Sequence, residues 1–368
     1  MTSFIPLASP DIRDEDISEA VSVLKSGMLV QGVKVEALEK TFSDYLQTSN
    51  AIAVSNGTAT LHLALIAHHI GPGDEVIVPA FSYIATANVV ELVGAKPVFT
   101  DVDLTTFNIC TKNLESKITN KTKAIIPVHE FGLCSDMPQI MEIASQYNLI
   151  VIEDAACALG AKIGNKSAGT FGAFGSFSLH PRKAITSGEG GVLITANKEL
   201  ASKIRVLRNH GIQIENSKME FVEAGFNYRM TDFQAALVNN QLKRLDSILD
   251  YKNRLAQQYA AEINNELITK PIVPTDRNHT WQTYHILLDR KINRDKAIET
   301  LKQAGIGTNY GAQCIPMQKY YQKKYKLDCA LEFPNAKQAF EQGLAVPIYE
   351  KLKPADISYI SEKLNNLV

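Results

Sequence analysis

The strongest constraint on the fold is an alternation that runs from Ala51 to Ala158. Short apolar runs of strand length take turns with stretches of helical period. "AIAVS" meets the small-residue turn "NGTAT" and then the helical "LHLALIAHHI". "DEVIVPA" reads as a buried strand, "SYIATANVVELVGA" as a helix and "KPVFTDVD" as a strand. "KAIIPVHEFG", "MPQIMEIASQYN" and "LIVIEDAACA" continue as strand, helix and strand. Apolar runs separated by helices predict an α/β chain with a mostly parallel sheet, covered on both faces. "SFSLH" and "GVLITA" add two further strands.

The flanks complete this plan. "DEDISEAVSVLKSGMLVQG" has the pattern of an amphipathic helix ended by Gly27, and "VKVEALEKTFSDYLQ" carries a second helical period. "TDFQAALVNNQLKRLDSILDYKNRLAQQYAAEI" reads as one long helical region that leads the chain out of the sheet. Beyond it, strand-like "TYHILLD" mixes with helices. At 368 residues, 45% of them hydrophobic, the chain exceeds one ordinary domain and can bury a large core. The expected division is a large domain over 1–244 and a smaller α+β domain over 245–368, with the first ~20 residues packing on the smaller one.

Charge and cysteine usage exclude several classes. A formal net charge of -1 gives no pull toward nucleic acid or an anionic membrane. The five cysteines (Cys110, Cys134, Cys157, Cys314, Cys329) are scattered, without a C-x-x-C pair. Neither a disulfide framework nor a metal site is expected. No basic segment leads into an apolar run at the start, and nothing approaches the ~18 apolar residues of a spanning helix. The expectation is a cytoplasmic protein.

In open parallel sheets, ligands gather at the carboxyl ends of the strands. Four polar clusters fall there: "SNGT", "PAFSY", "EDAAC" and "SLHPRK". Asn56-Gly57-Thr58 reads either as a phosphate cup at a helix start or as an ordinary turn with Thr58 as the cap. Glu153-Asp154 reads either as a counter-ion for a protonated ring nitrogen or as a helix cap. Lys183 is either a surface lysine or a nucleophile whose pKa is lowered by burial and by Arg182 and His180 beside it. Its surroundings favour the nucleophile. Ser178 stands five residues before it, suited to a phosphate oxygen, and Gly188-Glu-Gly-Gly191 begins five residues after it. A lysine that condenses with an aldehyde, an aspartate for a pyridinium nitrogen and a phosphate cup together specify pyridoxal phosphate (PLP).

With these motifs in order, the chain resembles the DegT/DnrJ/EryC1/StrS sugar aminotransferases, of the aspartate-aminotransferase-like fold type I. The resemblance rests on "IPLASPDI", "LKSGMLVQG", "SNGTATLHLAL", "GPGDEVIVPAFSYIATANVV", "VFTDVD", "IEDAACALGA", "FSLHPRKAITSGEGG", "LRNHG", "FNYRMTDFQAAL", "GIGTNY" and "VPIYEKL". It implies that Lys183 forms the internal aldimine and that Asp154 pairs with the ring nitrogen. Tyr83 would stack on the ring, with a core aromatic as the alternative reading. Gly57, Thr58, Ala59 and Ser178 would hold the phosphate, joined by Asn227 of the partner subunit. Arg229, Tyr228 and His180 are the implied substrate contacts. Cys157 stands where the family often has Gln or His, near the phenolic oxygen of the cofactor. Gln313 and Gln318 stand at histidine-like positions.

The implied enzyme is a homodimer with shared active sites. It would move an amino group from L-glutamate to a nucleotide-diphosphate keto-sugar, a 4-keto-6-deoxy hexose, with 3-keto amination as the alternative. Its two half-reactions would be ping-pong, and its product would feed an O-antigen, lipopolysaccharide or glycoside. Two other readings share the fold. A PLP-dependent sugar dehydratase usually replaces the lysine, and a regulatory member has no use for the full set of polar groups.

Overall fold

The computed structural model describes residues 4–368. Seven strands form the main sheet. They are β1 (Asn50–Val54), β2 (Glu75–Pro79), β3 (Lys96–Thr100), β4 (Thr122–Ile125), β5 (Ile150–Asp154), β6 (Phe174–Ser178) and β7 (Gly191–Thr195). Their order across the sheet is β1-β7-β6-β5-β4-β2-β3. The pairs from β3 to β6 are parallel, whereas β7 is antiparallel to both β6 and β1. One reversed strand between β1 and β6 leaves β1 running with the parallel set. The carboxyl ends of β1, β2, β4, β5 and β6 therefore share one edge.

Both faces of the sheet are covered. Ile52 and Val54 of β1 pack with helices α3 (Gly57–Ala67) and α6 (Lys198–Arg208) in one core. Ala51 and Ala53, alternating with them, face α2 (Val33–Leu46) and α7 (Asp232–Lys243) in another. Helix α5 (Met137–Gln146) closes over Ile77, Ile125 and Val151. Strands buried on both faces read as unbroken apolar runs, which is why the alternation was visible in the sequence. Helix α1 (Asp14–Ser26) ends as expected at Gly27, whose φ of 76° is the left-handed conformation that glycine adopts without a Cβ penalty.

Two elements differ from expectation. The long helical region is two helices, α7 and α8 (Leu245–Glu262), broken at Arg244. The Arg244 guanidinium is held by both carboxylate oxygens of Asp16, at 2.9 and 2.6 Å, and by the Asp11 carbonyl at 2.8 Å. This ties the break to α1. The strand expected over "KAIIPVHEFG" stops at Ile125. The chain then turns at Glu130–Gly132, with Phe131 in the left-handed region at φ 56°.

A second, three-stranded antiparallel sheet comprises β8 (Ile268–Thr269), β9 (Tyr284–Leu288) and β10 (Gly343–Val346). Leu255 and Tyr259 of α8 pack against it, with Leu301, Ile360 and Ile5. Ile5 exchanges backbone hydrogen bonds with Gly305 and Gly307, at 2.8 Å each, so the start of the described chain lies on this sheet. Part of the chain after 245 returns to the main core. Gln313–Cys314 pairs with Phe81–Ser82, and Ile315, Tyr321, Phe333 and Ala336 join the cluster around α3. No helix among the described residues is long and apolar enough to cross a membrane, and no cluster of three or more His, Cys, Asp or Glu is arranged to hold a metal.

Candidate active site

The shared strand edge gathers the polar clusters. After β1, Asn56 accepts a 2.9 Å hydrogen bond from the Ala59 N–H and caps α3. Thr58, the cap expected from the sequence, is exposed in the first turn instead. The first-turn N–H groups of a helix have no intrahelical acceptors, so this start can receive an anion. Gly57 is needed there: a Cβ on it would lie 2.9 Å from the Ser178 Cβ. The start of α3 and the end of β6 thus form two touching walls of one cup. Gly191 closes the cup from behind, since a Cβ on it would lie 2.5 Å from the Asn56 carbonyl oxygen.

Asp154 and Glu153 separate by the strand's period of two. Glu153 points away from the edge. Its Oε2 lies 2.9 Å from His129 Nε2 and accepts from the Gly169 N–H at 2.7 Å, while its Oε1 takes the Phe171 and Gly172 N–H groups at 2.6 and 2.7 Å. Asp154 is only 6% exposed and no helix follows it, so it is not a helix cap. It accepts from Thr86 Oγ1 at 2.8 Å and from the Ala156 N–H at 3.2 Å. Burial raises its pKa, opposed first by the Thr86 bond. A buried carboxyl with no cation bonded to it is a site prepared for one. Thr86, on helix α4 (Ala85–Leu92), went unnoticed in the sequence. The available signal was its position one turn beyond the strand-end "PAFSY".

Lys183 lies between β6 and β7, half-buried. Its Nζ donates to Cys157 Sγ at 3.1 Å. No carboxylate lies within ion-pair distance of it among the described residues. Its backbone N–H bonds the His180 carbonyl at 2.8 Å, and Gln282 Nε2 holds the Arg182 carbonyl at 3.0 Å. Burial lowers the pKa of His180, whose Nδ1 accepts from the Arg182 N–H at 3.2 Å. His180 is neutral near pH 7 and adds no charge beside Lys183, contrary to the role considered for it. Burial pushes the Cys157 thiol up, so it remains a thiol. Gly188, at φ 83°, makes the turn that the glycine run suggested.

Tyr83 is 66% exposed and is not a core aromatic. Asn227 is exposed, on a segment that joins the β1 end through a 2.9 Å bond from the Ser55 N–H to the Tyr228 carbonyl. Tyr228 stacks on Phe226 at 4.8 Å, and its hydroxyl lies 3.2 Å from His62 Nδ1. Arg229 Nη1 donates to Asn209 Oδ1 at 2.6 Å. Tyr228 and Arg229 therefore have partners within the chain. Gln313 pairs with Ser82 beside the site, and Gln318 Nε2 turns back to the Cys314 carbonyl at 3.1 Å.

A helix start open to an anion, a lysine without a counter-ion and a buried carboxyl without a cation fit PLP. The sequence model of the DegT/DnrJ/EryC1/StrS aminotransferase family matches residues 10–365. The chain is 39% identical to the uncharacterized protein MJ1066 of Methanocaldococcus jannaschii, over 100% of this chain and 98% of the relative. It is 37% identical to the spore coat polysaccharide biosynthesis protein SpsC of Bacillus subtilis, over 99% and 97% of the two chains. The PLP form of the sugar aminotransferase Spr1654 from Streptococcus pneumoniae superposes with a TM-score of 0.93 at 30% identity, covering 98% of each chain. A family match across nearly the whole length, on a fold whose strand ends assemble this site, makes the chain a member of the DegT/DnrJ/EryC1/StrS aminotransferase family.

Proposed function

We propose that this PLP-dependent aminotransferase transfers an amino group from L-glutamate to a nucleotide-linked keto-sugar, a 4-keto-6-deoxy hexose, for surface-polysaccharide or glycoside synthesis. The observation that carries this reading is the convergence of Lys183, Asp154 and the Gly57–Ser178 cup on one strand edge. Bound PLP supplies an electron sink for a carbanion at the donor's α-carbon. Asp154 would accept from the ring N–H and favour the protonated ring. Gly57, Thr58, Ala59 and Ser178 would hold the phosphate. Lys183 would hold the cofactor, and its amine, once free, is the group placed to carry a proton to and from the donor's α-carbon. Tyr83, exposed beside the edge, would cover the ring face. Lys183 argues against a dehydratase, whose relatives replace it.

Asn227 completes the cup of a second copy, and His180, Tyr228 and Arg229 line the substrate side of a shared interface in a homodimer. Exposed Met28, Val30 and Val33, together with Met219 and Phe221 on the hairpin Ile212–Phe221, support such an interface. The working units are 1–244 and 245–368, the second lending residues 313–339 to the core of the first, in the cytoplasm. Mixing Lys183→Ala and Asn227→Ala subunits tests the sharing: activity recovered on mixing supports it, and none recovered sinks it.

The experiment for the reaction is a panel of dTDP-, UDP- and GDP-linked 3-keto and 4-keto sugars. Each is offered to enzyme already converted to the amine form by L-glutamate. Return of the original absorbance with one 4-keto-6-deoxy sugar is expected. Return only with a 3-keto sugar selects the alternative, and no response from any sugar overturns the reading.

A further inference from the structure

Glu130 is a carboxyl that the mechanism above does not use. It is 5% exposed, and its Oε2 is fully buried without a hydrogen-bond partner among the described residues. Its place beside the site is set by the backbone. The His129 N–H bonds the Asp154 carbonyl at 3.0 Å, and the Glu130 N–H bonds Asn108 Oδ1 at 2.8 Å. Two residues on, a Cβ on Gly132 would lie 3.0 Å from the Cys157 carbonyl oxygen. The turn carrying Glu130 is wedged between the Asp154 strand end and the Cys157 turn. Phe131 pays for this wedge with a left-handed φ of 56°. Strain of that kind persists where the surroundings over-determine a conformation.

The charges around the carboxyl come from three elements. Asp154 at the end of β5, Lys183 after β6 and Cys157 in the turn after Asp154 all act on it or respond to it, and the Ser82 hydroxyl faces it. His129 is turned away to Glu153, and His285, stacked on Phe131 at 4.4 Å, is held neutral by burial. Glu130 follows β4, which flanks β5 on the side opposite β6, the strand that ends in Ser178 of the cup. In the PLP ring, the nitrogen and the carbon that bears the lysine linkage are opposite each other. The phosphate arm occupies one edge between them and the phenolic oxygen the other. A group placed with Asp154 and Lys183, but away from the cup, falls on the phenolic edge. Cys157 is only a weak donor there.

Resting on the PLP reading above, we propose that Glu130 keeps its proton and donates it to the phenolic oxygen, supplying the strong donor that Cys157 does not. Burial beside the Asp154 carboxylate agrees with a neutral acid, pushing the pKa of Glu130 up to about 8. Electron density drawn toward Glu130 loosens the phenolic oxygen's hold on the proton of the Lys183–cofactor nitrogen. That proton then leaves at a lower pH.

The test is a pH titration of the visible band of the holoenzyme, with infrared difference spectra of the carboxyl region. Glu130→Met, which removes the donor at similar volume, is expected to raise the pH of the band transition by about one unit. Glu130→Gln keeps a donor and restores the wild-type value. Wild-type holoenzyme at pH 7 is expected to show a carboxylic-acid carbonyl band that Glu130→Gln lacks and that moves on cofactor loading. An unshifted transition in folded Glu130→Met, a transition lowered by Glu130→Gln, or an infrared band that is absent or indifferent to loading overturns the proposal. If Glu130→Met does not fold, the infrared arm decides alone. Failure of the wild-type apoprotein to form any visible band with PLP would instead sink the cofactor reading.

Discussion

Lys183 directs its amine to Cys157 Sγ, 3.1 Å away, and not to the carboxyl of Asp154. A lysine held by a thiol and not by a carboxylate keeps no ion pair that must be broken before it attacks. Lys183→Ala is expected to lose turnover by roughly 10²–10⁴-fold or more, with loss of the PLP-dependent visible band. Stopped-flow spectra with L-glutamate check this. Full turnover in the variant would rule out the role given to Lys183.

Asp154 is buried and carries no bonded cation of its own. Asp154→Asn removes the charge that a protonated ring nitrogen would meet. Leaving a buried charge without its partner costs roughly 3–5 kcal/mol, so PLP affinity of the apoprotein is expected to fall by more than ~10²-fold. Equilibrium titration of apoprotein with PLP measures it, and wild-type affinity would be the contrary result.

At the cup, a Cβ on Gly57 would fall 2.9 Å from the Ser178 Cβ. Forcing one methyl group into a packed site costs about 1–3 kcal/mol. Gly57→Ala should therefore lower the thermal midpoint of the apoprotein and, by pushing the two walls of the cup apart, also weaken binding of PLP or of inorganic phosphate. Isothermal titration separates the two effects.

Away from the site, the Asp16 side chain is fully buried and its charge is met by Arg244. Arg244→Ala would strand that carboxylate. A loss of roughly 3–5 kcal/mol in unfolding free energy is expected, with loosening of α1 from α7. Denaturant melts of wild type, Arg244→Ala, Asp16→Asn and the double variant give the coupling. A coupling near zero would mean that the bend after α7 does not depend on this pair.

The pH dependence of the apoprotein has a definite sign. The folded pKa of Glu130 is raised from 4.5 to about 8, so the folded state binds the proton more tightly than the unfolded state. Its contribution to stability is complete below 4.5 and is lost as pH rises toward 8. Glu130→Gln should flatten the fall in thermal midpoint over that window. An unchanged slope would place the pH dependence elsewhere.

Much of this architecture was open to reading from the sequence. Strands buried on both faces must be apolar throughout, so β1, β2 and β5 announced themselves. Their polar ends marked Asn56, Asp154 and Ser178, because a carboxyl or hydroxyl at a strand end sits where the core stops. The break at Arg244 was hidden, because no Gly or Pro marks it and the contact made there is with Asp16, 228 residues away. The turn at Glu130 was hidden likewise, because "KAIIPVHEFG" keeps its apolar character past the point where pairing ends.

Linear order alone determined the sheet class and brought Lys183, Asp154 and the turn at Gly57 forward as candidates, through the periodicity that burial imposes and the chemistry of each side chain. Only the folded chain decided which oxygen meets which donor. It turned Glu153 to His129 and Asp154 to Thr86, made Asn56 and not Thr58 the cap, and set Glu130 among Asp154, Cys157 and Lys183. Those outcomes depend on distances between residues remote in sequence, where burial without water makes each unpartnered polar atom costly and so fixes its direction.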